Sequence, residues 1–266
     1  MKPEYKNDPF FQVPFFQVPR TCKQTSWGEV QLPICFLDSS NFIAIFKADA
    51  GGIAKLLEGT GLNSALSLAG NPLVFISFYE YRQSTVGAYN EVGIAIPVIP
   101  EGVKRPKSDF RDLLRASDES IVGWHIVNLP VTTEQANAAG QEIWGYPKFV
   151  TQIPFKLDKR NFTSEVKDPK FGSIMRLEGK LNLGIKAPAL SGVTYSHLSG
   201  KTLRSSVNAR GNYKAYLAHQ LKLTIGNSQH NMAENLRILS LDNSRPIAAL
   251  GSHDFQSRLS DGAEIN

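Results

Sequence analysis

Within residues 140–150 the chain reads Tyr146, Pro147, Lys148, with Gly140, Glu142 and Trp144 just upstream. A proline cannot donate to a strand ladder, so Pro147 fits only the beginning or edge of a strand. In a regular strand Tyr146, Lys148 and Val150 share one face, and Phe149 and Thr151 share the other. Lys148 then lies between an aromatic and an aliphatic neighbour. In such a setting an amine is desolvated and sheds its proton, and a neutral amine is a nucleophile toward a carbonyl carbon. The same pattern also suits a solvated charge on an exposed edge, the ordinary place for a lysine in a strand.

A second stretch, residues 86–98, alternates. Val92, Ile94, Ile96 and Val98 form one apolar face, while Tyr89, Glu91, Gly93 and Ala95 form the other. Small residues beside a single carboxylate suit a cavity wall. They also suit a strand face with a solvated glutamate.

Strand-like segments dominate the chain. Residues 41–46, 73–81, 92–98 and 121–128 are apolar runs rich in branched and aromatic side chains. Residues 174–183 and 237–241 read the same way. Helices are few. Asp49 caps one through Ile53, Leu56 and Leu57. Ser108 or Asp109 starts a short one holding Leu113 and Leu114. Thr132 to Gln135 has capping-box spacing and opens a third helix, which Gly140 is expected to halt. Strands do not alternate regularly with helices, so the fold class predicted is α+β, mainly antiparallel sheet, with a few short helices. Residues 158–170 read as a hairpin connection and 184–211 as a long loop. No strong boundary divides the chain, and 1–266 is read as one domain with an extended N-terminal arm of about 25 residues. That arm repeats itself: residues 10–14 and 15–19 are both Phe-Phe-Gln-Val-Pro. Four phenylalanines are costly to leave in water, so the arm is expected to pack on its own domain or on a neighbouring subunit.

The bulk composition is that of a water-soluble globular chain, 42% hydrophobic and 20% charged. There is no run of about 18 apolar residues to cross a membrane. The N-terminus lacks a secretory core, so a cytoplasmic location is the expectation. The net charge of +5 is scattered in short clusters with no basic helix, which argues against a nucleic-acid partner. Cys22 and Cys35 are expected to be free thiols. The histidines at 125, 197, 219, 230 and 253 show no metal-ligand spacing. No cofactor is expected.

Taken together, these segments resemble the acetoacetate decarboxylase-like superfamily. The family carries a Tyr-Pro-Lys or Phe-Pro-Lys element preceded by Gly-x-Glu, matched by Gly140, Glu142, Tyr146, Pro147 and Lys148. A Tyr-x-Glu-x-Gly strand upstream is matched by Tyr89, Glu91 and Gly93, and the closing region by Gly251, Ser252 and His253. The resemblance implies a barrel-like or cone-like sheet, a homo-oligomer and a small keto-acid substrate. It also implies a carbon–carbon lyase in which Lys148 forms an imine and Glu91 orients groups or moves protons. Tyr89, Tyr146 and Trp144 are the expected substrate-binding residues. Acetoacetate decarboxylase is itself the standard example of a lysine activated in this way.

Departures from the family pattern point to a branch distinct from the true decarboxylases. Phe149 stands where a second lysine follows the nucleophile. No arginine is found near Ser39, and an apolar residue near Ile76 replaces a second acid. Decarboxylation of a keto acid is therefore the leading expectation, with acetoacetate itself doubtful. Aldol or dehydration chemistry through the same imine, or a non-catalytic ligand-binding role, are the alternatives.

Overall fold

The structure is a computed structural model that describes residues 9–10 and 12–265. Its centre is a closed barrel of seven strands. In chain order these are β1 (Ile34–Lys47), β2 (Asn71–Ser84), β3 (Tyr89–Pro100), β4 (Gly123–Val131), β5 (Gly192–Leu198), β6 (Lys201–Arg210) and β7 (Ala248–Ile265). Each strand pairs with the next, and β7 closes on β1. All pairs are antiparallel except β4 with β5, where Thr194 lies beside Trp124 and Tyr195 beside His125. The long excursion between those two strands makes the parallel pairing possible.

The period-2 alternation sorts side chains between two environments. From β1 to β3, Phe42, Ala44, Phe46, Val74, Ile76, Phe78, Val92, Ile94, Ile96 and Val98 point out of the barrel into a buried core. That core is completed by a four-stranded sheet (Phe155–Leu157, Asn161–Lys167, Ser173–Lys180 and Leu221–Ile225) and by Met232, Ala233 and Leu236. The alternate residues Phe75, Tyr81 and Tyr89 point inward with Ile43 into a second cluster. A barrel of about this size is just wide enough to be filled by side chains or to hold one small ligand.

Among the described residues four α-helices decorate the barrel: α1 (Ala50–Leu57), α2 (Asp109–Asp112), α3 (Glu134–Trp144) and α4 (Asn231–Ile238). The Asp49 carboxylate caps α1 by accepting from Gly52 N–H, the Ser108 hydroxyl caps α2 through Arg111 N–H, and the Thr133 hydroxyl caps α3 through Ala136 N–H.

Three expectations are corrected. Helix α3 does not stop at Gly140 but runs one turn further to Trp144, where Gly145 takes the left-handed conformation of a helix C-cap. Residues 184–211 are not a loop: they hold the short strand Ile185–Ala187 and the barrel strands β5 and β6. Residues 237–241 are not a strand but the end of α4 and the turn after it, because Met232, Leu236 and Leu239 repeat at helical spacing into the core. The stretch 158–170 contains the strand Asn161–Lys167 between two hairpin turns.

The N-terminal arm packs on its own chain. Phe10 and Phe16 are buried with Cys35, and the guanidinium groups of Arg210 and Arg258 lie 4.7 and 4.6 Å from the centroid of the Phe15 ring. Residues 1–8 and Phe11 lie outside the described residues. Cys22 is exposed and Cys35 is buried, and the two do not form a disulfide with each other. No helix among the described residues is long and apolar enough to cross a membrane.

Candidate active site

Lys148 is the first residue of a short strand, Lys148–Val150, that runs parallel to β4 with Lys148 beside Leu129. Pro147 supplies no donor, but its carbonyl accepts from Leu129 N–H at 3.1 Å and so starts the pairing. A tight turn precedes it, with Lys148 N–H donating to the Tyr146 carbonyl at 2.7 Å. The Lys148 carbonyl accepts from the Gln141 side chain at 2.8 Å, which ties the lysine backbone to α3. Gly145 is required at the end of α3, since a Cβ there would lie 1.9 Å from the His197 carbonyl oxygen. The rigid Tyr-Pro step and the glycine cap together aim the lysine into the barrel.

There the Lys148 Nζ lies 2.7 Å from Glu91 Oε2, with side-chain exposures of 7% and 10%. Glu91 comes from the inward face of β3, and its other oxygen is 3.4 Å from the Tyr81 hydroxyl. Lys148 Nζ also stands 5.6 Å from the centroid of the Tyr89 ring. A buried ion pair of this kind is a poor device for stability, because the desolvation of both charges offsets their attraction. Its presence in a cavity wall fits chemistry better than it fits packing.

The cavity has a volume of about 150 Å³. Glu91, Tyr89, Tyr146, Trp144 and Lys148, the five residues singled out from the sequence, all line it. Trp144 is almost fully buried. It stacks on Tyr146 at 5.8 Å between centroids and donates from its indole nitrogen to the Ser260 carbonyl. It therefore holds Tyr146 in place from behind. The Tyr146 hydroxyl is 2.6 Å from Thr194 Oγ1 on β5, across the parallel junction.

Other lining residues were not anticipated from the sequence. Tyr79, Phe75 and Ser77 lie on the inward face of β2, beside Tyr81, and Asn41 on that of β1. Tyr213 and Phe255 come from far along the chain, and the Tyr213 hydroxyl donates to Asn41 Oδ1. The alternation of Phe75, Ser77, Tyr79 and Tyr81 is a signal that could have marked β2. Nothing local marks Tyr213 or Phe255.

Burial, and then the charge of Glu91, push the Tyr79 hydroxyl up to about 12. The same two causes hold Tyr81 and Tyr89 well above the ordinary tyrosine value. Burial likewise raises Tyr146, against the opposing hydrogen bond of Thr194. The tyrosines around the ion pair are thus neutral donors at physiological pH.

Glu142, the acid of the family motif, lies outside the cavity; its carboxylate accepts from Ser26 N–H and the Ser26 hydroxyl, tying α3 to the N-terminal hairpin. Phe149 points to the face opposite Lys148, as strand alternation requires, and packs 4.3 Å from the His230 ring. Ser39 and Ile76 do not line the cavity either, and Ile76 belongs to the outer core, so these positions say little about charge in the site. The lining itself does: among the described residues its only charged side chains are Glu91 and Lys148. No cluster of histidine, cysteine and acidic side chains suited to a metal is found among the described residues.

The sequence profile of the acetoacetate decarboxylase (ADC) family matches residues 18–215. The chain belongs to the acetoacetate decarboxylase family. No curated protein sequence matches it. Among solved structures it is similar to the acetoacetate decarboxylase of Legionella pneumophila subsp. pneumophila str. Philadelphia 1, with a TM-score of 0.64 at 15% identity over 97% of this chain and 94% of that one. It is also similar to an acetoacetate decarboxylase-like enzyme from Sphingomonas wittichii RW1, with a TM-score of 0.62 at 12% identity over 89% and 94% of the two chains. A third similar structure is the enduracididine biosynthesis enzyme MppR complexed with pyruvate, with a TM-score of 0.59 at 10% identity over 88% and 90%. At these identities the likeness is one of fold.

Proposed function

We propose that this chain is a Schiff-base lyase that acts on a small keto acid, with decarboxylation as its reaction. The observation that carries the proposal is the buried Lys148–Glu91 pair facing a cavity lined largely by aromatic side chains. In this reading the lysine ammonium gives a proton to Glu91 and attacks the ketone carbon as a free amine. The carbinolamine takes the proton back from Glu91 and loses water, leaving a protonated imine. In a 3-keto acid the electron pair of the bond to the carboxylate carbon then flows into the imine. Carbon dioxide departs and an enamine remains. Protonation of the enamine carbon and attack by water return the ketone and the free lysine. Glu91 is the nearest group able to carry these protons. The neutral hydroxyls of Tyr89 and Tyr146 bind oxygen atoms of the substrate, with Trp144 supporting Tyr146. Residues of this chain supply every step, and no cofactor enters.

An aldol-type reaction through the same imine is the second reading. It is favoured by the related fold of MppR, one structure of which is complexed with the condensation product of pyruvate and imidazole 4-carboxaldehyde. A keto acid that gains a carbon–carbon bond to an added aldehyde, with no release of carbon dioxide, would select it. Self-association of identical subunits belongs to the proposal and is tested by sedimentation. The direct test of the function is incubation with a panel of 3-keto acids, with carbon dioxide release and borohydride-trapped protein mass followed together. Trapped adduct and released gas from the same acid support decarboxylation. Binding with neither adduct nor product would mark a ligand-binding protein instead.

A further inference from the structure

We infer that the substrate carries one carboxylate and one aromatic ring, and that the ring seat lies along the Tyr79, Phe255 and Tyr213 wall of the cavity. This rests on the imine reading above and names the class of acid it serves.

The first argument is charge. Glu91 and Lys148 are the only charged side chains among the described lining residues, and they already neutralise each other. The carboxylate of a 3-keto acid lies one carbon from the ketone carbon and can be met by the protonated imine. A second carboxylate, a phosphate or an ammonium elsewhere on the substrate would be buried without a counterion, which is strongly unfavourable. The remaining polar lining atoms belong largely to hydroxyls and an amide, which hydrogen-bond but carry no charge. Dicarboxylic and phosphorylated keto acids therefore do not suit this cavity.

The second argument is the path of the rings. From Lys148 Nζ the centroid of Tyr89 is 5.6 Å away, Tyr81 is 4.8 Å further on, and Tyr79 stacks on Tyr81 at 5.2 Å and 10°. Phe255 follows at 5.8 Å from Tyr79, and Tyr213 meets Phe255 edge-on at 6.2 Å. A contiguous set of aromatic side chains thus runs from Tyr89, beside the reacting nitrogen, to Tyr213. Aromatic ligands gain from such offset and edge-on neighbours beyond their buried area. The far end is held in place: the Tyr213 hydroxyl bonds to Asn41, and the Asn41 amide in turn donates to the Phe78 carbonyl at 3.1 Å.

Size agrees: a volume of about 150 Å³ is enough to seat one aromatic ring in other proteins, and this cavity has that volume. A pyruvate-sized acid leaves the aromatic wall unfilled.

Borohydride trapping of the full chain with equal concentrations of three 3-keto acids, 3-oxo-4-phenylbutanoate, acetoacetate and 3-oxoglutarate, tests the inference. The phenyl acid should label about tenfold faster than acetoacetate, the equivalent of one or two good aromatic contacts, and 3-oxoglutarate should not label. Equal labelling by acetoacetate, or labelling by 3-oxoglutarate, would overturn the inference and leave the imine reading standing. If no acid labels, the imine reading fails, and equilibrium binding of the same acids followed by tryptophan fluorescence then decides the inference by itself. Tighter binding of the phenyl acid supports it; equal or absent binding overturns it. In Phe255→Leu, which keeps an apolar side chain and the fold, the ratio of labelling by the phenyl acid to labelling by acetoacetate should fall toward one. A ratio unchanged in both Phe255→Leu and Tyr79→Leu would remove the ring from this wall.

Discussion

Gly140 and Lys148 claim the same space: a Cβ on residue 140 would lie 2.3 Å from Lys148 Cε and 2.4 Å from Cδ. The glycine in the middle of α3 is therefore the groove in which the lysine stem lies. A helix-interior glycine costs up to about 1 kcal/mol relative to alanine, and here that cost brings the amine to Glu91. Gly140→Ala should fold, since alanine favours the helix, but should push the lysine out of line. A misplacement of about 1 Å is worth roughly 10²-fold in rate. We expect a loss of turnover of that order with an unchanged circular dichroism spectrum. Full activity in Gly140→Ala would show that the stem has room to spare.

The Lys148–Glu91 pair predicts a non-additive stability series. Removing one member of a buried ion pair typically costs about 3–5 kcal/mol, while replacing both by neutral groups is often neutral or stabilising. Glu91→Gln should therefore lower the unfolding midpoint in denaturant, and Glu91→Gln combined with Lys148→Met should restore much of it. Activity should stay lost in both. A double variant no more stable than Glu91→Gln would mean the two side chains are not coupled in the folded protein.

Burial raises the site tyrosines, and the sign of the resulting pH dependence follows. A tyrosine of the unfolded chain ionises near pH 10, whereas folded Tyr79 does so at about 12. Below pH 10 both states hold the proton and this source of stability is fully present. It is lost as the pH rises through the folded value, because the unfolded chain releases protons first. Tyr79 alone accounts for about 3 kcal/mol of this loss, and Tyr81, Tyr89 and Tyr146 act in the same direction. Denaturant midpoints should fall steeply between pH 10 and 12, and tyrosinate absorbance should rise together with unfolding. Early titration of these tyrosines in the folded protein would contradict the buried cluster.

Much of this arrangement was readable from residue types. Strict alternation from Tyr89 to Val98 separated a cavity face from a core face, because a strand with two different environments must alternate. The Tyr146-Pro147-Lys148 step likewise announced a strand start. The run from 184 to 211 was misleading because its Gly, Ser and Pro content outweighs the alternation of Val193 and Tyr195 toward the core. Gly140 read as a helix stop because the lysine stem that needs it arrives from outside the helix. Tyr213 and Phe255 were invisible for the same reason: only barrel closure brings β7 and the strand Tyr213–Tyr216 to the cavity that Lys148 lines. Glu142 of the family motif serves a contact more than a hundred residues away, with Ser26, which no local pattern shows.

Acetoacetate should be a poor substrate. No guanidinium lines the cavity among the described residues, so the imine is the one cation that can meet its carboxylate, and its methyl group leaves the aromatic wall unfilled. Orientation of a reacting group is worth roughly 7–11 kcal/mol in favourable cases. Carbon dioxide release from acetoacetate should be slow beside release from a 3-keto acid with an aryl substituent. Turnover of acetoacetate at a typical enzymatic rate of about 10 per second would show that the carboxylate needs no cation here.

The central claim is that Lys148 forms the imine. The measurement that meets it most directly is peptide mapping by mass spectrometry after borohydride reduction in the presence of a keto acid. The reduced adduct should sit on Lys148 of the wild-type chain, and Lys148→Ala should carry none, with its fold intact by circular dichroism. An adduct mapped to another lysine, or one that persists in Lys148→Ala, would contradict the account.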